Sequence, residues 1–180
     1  MAFIKSGTTV TSFAEYQDVI DADQRLFDAN EGLTDDLVEA HLIRATERIL
    51  SKLRTTDWWR DYYIKRDSNL NINTVADIPA VNASRIKDRY NDFTELCVCM
   101  ALADYILPNV ADFSNEDSAE RRKMGYYNQR AEVLFGELIT AGDWYDFDGS
   151  GSISSSEKSP GRYNLKRVRW EQKSTTTLKV

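Results

Sequence analysis

Hydrophobic positions along this chain recur mostly at threes and fours, the period of an α-helix buried on one side. Phe13, Tyr16, Val19 and Ile20 carry that spacing first and predict a short N-terminal helix over residues 12–20. After the acidic turn at residues 28–32, Thr34-Asp35-Asp36 reads as a helix start. A hydroxyl can cap free N–H groups there, and the acids meet the positive helix end. Leu37, His41, Ala45, Ile49 and Leu53 form the stripe that follows, widened by Val38 and Leu42, with Arg44, Glu47 and Arg48 opposite. This helix is expected to end near Thr55. Ser84 predicts the start of a second long helix, with Ile86, Tyr90, Phe93, Cys97 and Met100 on its stripe and Pro108 as its stop. Ser114-Asn-Glu116-Asp117 opens a third, lined by Met124, Tyr127, Ala131, Leu134 and Leu138, with Gly142 as a natural C-terminal stop.

The segments between these stripes read differently. Trp58, Trp59, Tyr62 and Tyr63 crowd four large aromatics around Arg60. Such a cluster is either a core plug under a loop or the anchor of an interface. Residues 69–83 carry no period and are expected to be a long loop, with a short extended piece at 74–78. The expected fold is all-α: a small antiparallel bundle of three long helices plus the short N-terminal one, occupying residues 1–142.

Beyond Gly142 the pattern changes to chemistry. Residues 146–157 read Asp-Phe-Asp-Gly-Ser-Gly-Ser-Ile-Ser-Ser-Ser-Glu, the twelve-residue EF-hand-like calcium loop position by position. A hard cation needs several oxygens at short range. Asp146, Asp148 and Ser150 stand at positions one, three and five; the Ser152 carbonyl serves at seven, Ser154 through water at nine, and Glu157 at twelve. Gly151 stands where the chain turns sharply. Ile153 is where paired loops make a short strand contact. A helix is expected to enter the loop, but Ser159-Pro160-Gly161 breaks any exiting helix. With a single loop, a structural calcium clip is favoured over a switch, at an affinity of ~10⁻⁵ to 10⁻³ M. The alternative is an acidic Gly/Ser-rich linker. The loop segment is assigned to 143–160 and an extended basic C-terminal arm to 161–180.

Charge sharpens that division. The chain carries 23 basic and 29 acidic side chains, net -6, but residues 158–180 hold seven of the basic ones and one acid. Residues 158–180 are therefore net +6 and the other 157 residues net -12. A cationic arm beside an acidic body suggests docking on an acidic surface, such as a neighbouring copy. An acidic body is a poor DNA binder, since phosphate contacts need cations. Partner binding is expected at Trp58, Trp59, Arg60, Arg162, Lys166, Arg167, Arg169 and Trp170. No apolar run approaches the roughly 20 residues of a bilayer span, the N-terminus lacks a secretion-signal core, and no membrane partner is expected. Cys97 and Cys99 read as buried small apolar residues.

Catalytic chemistry is sparse. His41, the single histidine, sits on an apolar stripe and reads as a boundary residue. No nucleophile motif surrounds a serine, and there is no phosphate loop or dinucleotide fingerprint. The chain is not expected to be an enzyme. A small metal-dependent hydrolase is disfavoured because such a loop saturates its ion and leaves no open position for substrate.

The residues together resemble a family. The N-terminal helix, the acidic turn, Thr34-Asp35-Asp36-Leu37, Ala45-Thr46-Glu47-Arg48-Ile49-Leu50, the Trp58-Trp59 end and two further long helices look like the head–tail connector (adaptor, or head-completion) proteins of tailed bacteriophages. The resemblance covers roughly residues 10–142. Asp143-Trp-Tyr-Asp146-Phe-Asp148-Gly is similar to the end of some phage structural proteins, where a calcium-type loop precedes the arm. What the resemblance implies is a small helical bundle without catalytic residues, about twelve copies of which form a ring beneath the portal. The ring would extend the channel for passing DNA, join the next neck or tail protein, and use C-terminal arms on the portal or on neighbouring subunits. The location implied is the virion neck, reached from the host cytoplasm during assembly. The complete calcium loop departs from shorter members. The competing expectation is a soluble calcium-binding protein-interaction module.

Overall fold

A β-hairpin that the helical period conceals opens the chain. Strands β1 (Ile4–Ser6) and β2 (Thr9–Ser12) pair antiparallel, with Lys5 opposite Val10 and Ser6 opposite Thr9. Gly7 turns the chain at φ 63°, a conformation cheap only without a Cβ. The β-branched run Thr8-Thr9-Val10-Thr11 favours the extended chain. The helix expected over residues 12–20 therefore starts later, as α1 (Tyr16–Ala22), once the Glu15 N–H has donated to Asp18 Oδ2. A corner at Asp23 leads into α2 (Gln24–Ala29).

The computed structural model describes residues 3–30, 32–66, 77–111, 118–155, 157 and 158. Over these the chain is mostly helical with one two-stranded sheet. Helix α3 (Asp35–Arg54) matches its expected bounds closely and buries Val38, His41, Leu42, Ala45, Ile49 and Leu53, while Leu37 lies at the surface. Helix α4 (Asp57–Arg66) follows after Thr55 and Thr56. The 3-10 turn Ala83–Arg85 comes next in the described chain, capped by the Asn82 side chain, which accepts from the Ser84 N–H.

Helix α5 (Tyr90–Ala101) starts six residues after Ser84, the expected cap. Tertiary pairing accounts for the delay. The Lys87 N–H donates to the Trp144 carbonyl and the Arg85 carbonyl accepts from the Asp146 N–H, so this backbone is committed elsewhere. Arg89 then enters the helix from the left-handed region at φ 57°, unusual for a residue with a Cβ. Its guanidinium forks onto Asp143 at 2.5 and 3.1 Å. A π-helical turn (Leu102–Ile106) and α6 (Leu107–Val110) continue the same rod. Pro108 lies inside this rod, two residues before its last residue, Val110.

Helix α7 (Ala119–Ala141) is capped by Ser118, whose hydroxyl accepts from the Arg121 N–H, and ends on Gly142 at φ 57°. The cap expected at Ser114 lies outside the described residues, as do residues 69–76 of the loop expected at 69–83 and the arm 161–180. Helix α5 packs between α3 and α7. Leu42, Ile49, Leu53, Phe93, Leu96, Leu102 and Leu138 meet there fully buried, each contributing about 1.5–3 kcal/mol by leaving water. By length and composition the run Tyr90–Val110 is apolar enough to span a bilayer, contrary to expectation. Its apolar residues instead form the centre of this core.

The hairpin is sewn onto the same helices. Phe13 donates its N–H to Thr46 Oγ1 and accepts from Thr94 Oγ1, and its ring lies 5.3 Å from Phe93. Lys123 Nζ reaches the buried Asp23 carboxylate at 2.6 Å, tying the α1–α2 corner to α7.

Candidate metal site

Three buried aromatics deliver the acidic loop. Trp144 and Tyr145 are almost fully enclosed, and Phe147 nearly so. Trp144 donates its indole N–H to the Leu138 carbonyl, and Tyr145 makes an isolated antiparallel bridge with Ile86. The entering segment is thus non-helical; α7 has already stopped at Ala141, and the expected helix does not lead into the loop. Ile153 makes no strand pairing among the described residues.

Trp58 and Trp59 form the floor beneath these aromatics. Trp58 lies 4.8 Å from Trp144 and 5.1 Å from Phe147. Trp59 is 0% exposed and donates its indole N–H to the Pro79 carbonyl at 2.9 Å. Tyr62 stacks on Phe147, rings 3.6 Å apart and 15° from parallel. Trp58 and Trp59, expected to bind a partner, are both buried in the core of this chain. Their mates are residues 144, 145 and 147, too distant in sequence for periodicity to reveal. Arg60 stays at the surface, 3.6 Å from Asp57. Arg162, Lys166, Arg167, Arg169 and Trp170 lie outside the described residues.

The loop then closes on its own carboxylates. Asp146 Oδ1 accepts the N–H groups of Gly149 and Ser150, and Oδ2 that of Gly151. Gly149 and Gly151 both hold positive φ, 75° and 89°. Glu157 returns from the far end: Oε1 accepts the N–H groups of Phe147 and Asp148, and Oε2 the N–H and hydroxyl of Ser154. Burial acts to raise the Glu157 pKa. The donors on Ser154, Asp148 and Phe147 outweigh it and hold the carboxyl below its ordinary range.

Oxygens of Asp146, Asp148 and Glu157 thereby lie within 4.8 Å of one another. Asp146 and Glu157 are at most 1% exposed. Like charges are thus gathered in one place, a repulsion that a cation between them would relieve. Ser150 Oγ donates to the Ser152 carbonyl at 3.0 Å, and Ser154 Oγ is engaged by Glu157. The donor set is oxygen alone, which suits hard divalent cations over softer ones. This acidic triad could hold a metal ion.

Sequence reasoning missed Arg85. Its carbonyl accepts the Asp146 N–H, its Nη1 donates to the Phe147 carbonyl at 2.9 Å, and its guanidinium lies 3.2 Å from where a Gly149 Cβ would project. Position four of the loop is a glycine for that packing as well as for its φ. No local pattern marks Arg85; only the fold brings it to the loop.

The remaining reactive side chains are quiet. His41 is buried, stacked on Tyr105, with Nε2 3.3 Å from Asn109 Nδ2; burial, then Arg44, lowers its pKa. Burial pushes the Cys97 and Cys99 thiols up to about 11, so both are protonated at neutral pH. Comparison with protein-family models, with curated proteins and with solved structures found no significant match.

Proposed function

We propose that this chain is a structural subunit of a tailed-phage neck: a head–tail adaptor that assembles as a ring under the portal, extends the DNA channel and joins head to tail. In this reading the body is a small antiparallel helical bundle, and residues 146–157 are a calcium clip between that body and a cationic arm. One observation carries it. Glu157, the last ligand, is wholly buried, and the stretch of seven basic residues begins at the next position, Lys158. The loop therefore anchors the base of the cationic stretch to the acidic body.

Calcium is favoured by the spacing of Asp146, Asp148, Ser150, Ser152, Ser154 and Glu157, six oxygen positions on a loop with two positive-φ glycines. The net charge of -12 over residues 1–157 supports a wall past which DNA slides without sticking. No catalytic role is proposed: His41 is enclosed and the cysteines are protonated. The competing reading, a calcium-responsive interaction module, needs helices that swing apart on binding. The non-helical, buried entry through Trp144 and Tyr145 disfavours it.

The test is electron microscopy of the full chain mixed with the portal protein of its own genome, with solution mass measured alongside. Ring-shaped density on the portal is the expected result. A strictly monomeric chain that leaves the portal bare overturns the assignment.

A further inference from the structure

We infer that Phe147 makes cation binding at the loop and packing of the helical body a single cooperative event; this rests on the reading of residues 146–157 as a calcium loop. One residue faces both ways. Its N–H donates to Glu157 Oε1 at 2.8 Å, and so helps set the last ligand. Its carbonyl accepts from Arg85 Nη1, and its ring stacks on Tyr62 of α4 at 3.6 Å, within 5.3 Å of Trp59. The preceding residue, Asp146, is both the first ligand and the donor to the Arg85 carbonyl. The two deepest carboxylates are thus held by backbone that the body positions. A loop able to fold alone would need neither Tyr62 nor Arg85.

The distinction has a thermodynamic signature. A ligand stabilises whatever unit must be folded for its site to exist. If residues 146–157 suffice, the helices melt at the same temperature with or without the ion. If Phe147 must be seated on Tyr62, the melting midpoint of the helices rises with ion concentration. By reciprocity, loosening Tyr62 then weakens ion binding through the Phe147 ring on which it stacks.

The experiment uses the full chain and calcium chloride. Calorimetry gives the Kd of the parent, Tyr62→Leu, Phe147→Leu and, as a destabilised control remote from the loop, Leu134→Ala. Helical circular dichroism gives each melting midpoint in chelator and in calcium at a hundred times Kd. The expected result is a raised midpoint in the parent, binding weakened roughly tenfold in both aromatic variants, and an unchanged Kd in Leu134→Ala. Binding heat with an unmoved parent midpoint overturns the inference and leaves the calcium reading standing; so do aromatic variants that bind as tightly as the parent. An absence of heat in the parent overturns the calcium reading and this inference with it. Should both aromatic variants fail to fold, the parent's midpoint still decides.

Discussion

The Glu157 carboxylate closes on the backbone of Phe147, ten residues earlier, accepting its N–H at 2.8 Å. With the Asp148 N–H at 3.0 Å on the same oxygen, the end of the acidic loop is held against its beginning. That closure brings the buried Glu157 to Asp146, with the aromatic residue between them stacked on Tyr62 of α4.

Glu157→Gln keeps the size of the side chain and removes its charge. Calcium affinity is expected to fall at least roughly tenfold, the scale of one lost charge-assisted ligand. Calorimetry beside the parent measures it; equal affinities would mean that Glu157 is not a ligand.

Stability in chelator should depend on pH with a definite sign. The folded pKa of Glu157 lies below its ordinary 4.5, so its contribution is fully present above that value and is lost as pH falls through the lower folded value. Asp143 acts in the same direction below its ordinary 3.8, chiefly through the Arg89 hydrogen bond. Urea unfolding at neutral pH and at steps below pH 4.5 should show the decline, and Glu157→Gln should flatten it. A flat parent profile over that window contradicts the arrangement of donors around Glu157.

Two loop glycines should differ. Both hold positive φ, which costs an alanine about 1–2 kcal/mol. At Gly149 the new Cβ also meets Arg85 Nη2 at 3.2 Å, whereas at Gly151 it enters open space. Gly149→Ala is expected to destabilise more than Gly151→Ala in urea unfolding. The reverse order would show that Arg85 yields freely.

Trp59 and Arg60 are neighbours with opposite roles. Trp59→Ala should cost about 3–5 kcal/mol of stability, as for a buried aromatic truncated in a packed core. Arg60→Ala should change stability by at most about 0.5 kcal/mol. If the proposed ring forms, Arg60→Ala is the one of the two that can perturb assembly without unfolding the subunit. Denaturation and solution mass together check both halves.

Deleting residues 162–180 should leave the helical circular dichroism and the melting midpoint of the body intact while reducing incorporation into particles. Loss of helicity in that truncation would place the cationic stretch in the core.

The sequence alone determined the parts that depend on local physics. Helix α3 is legible from Thr34 to Arg54 because its cap, first-turn acids and stripe are contiguous. The end of α7 at Gly142 is legible because only glycine takes φ 57° there at little cost. The acidic triad Asp146, Asp148 and Glu157, which could hold a metal ion, is legible because the loop carries these carboxylates at fixed spacing. What the tertiary structure decided are choices between conformations of similar local cost. Ser84 could open a helix, yet the backbone at Arg85 and Lys87 pairs with Trp144 and Asp146, and the helix waits until Tyr90. Trp58 and Trp59 could anchor a partner or plug a core, and the fold buries both, with Trp144 against Trp58 and Phe147 against each, from more than eighty residues away. Burial of aromatic area depends on which surfaces meet, and no window along the chain contains both.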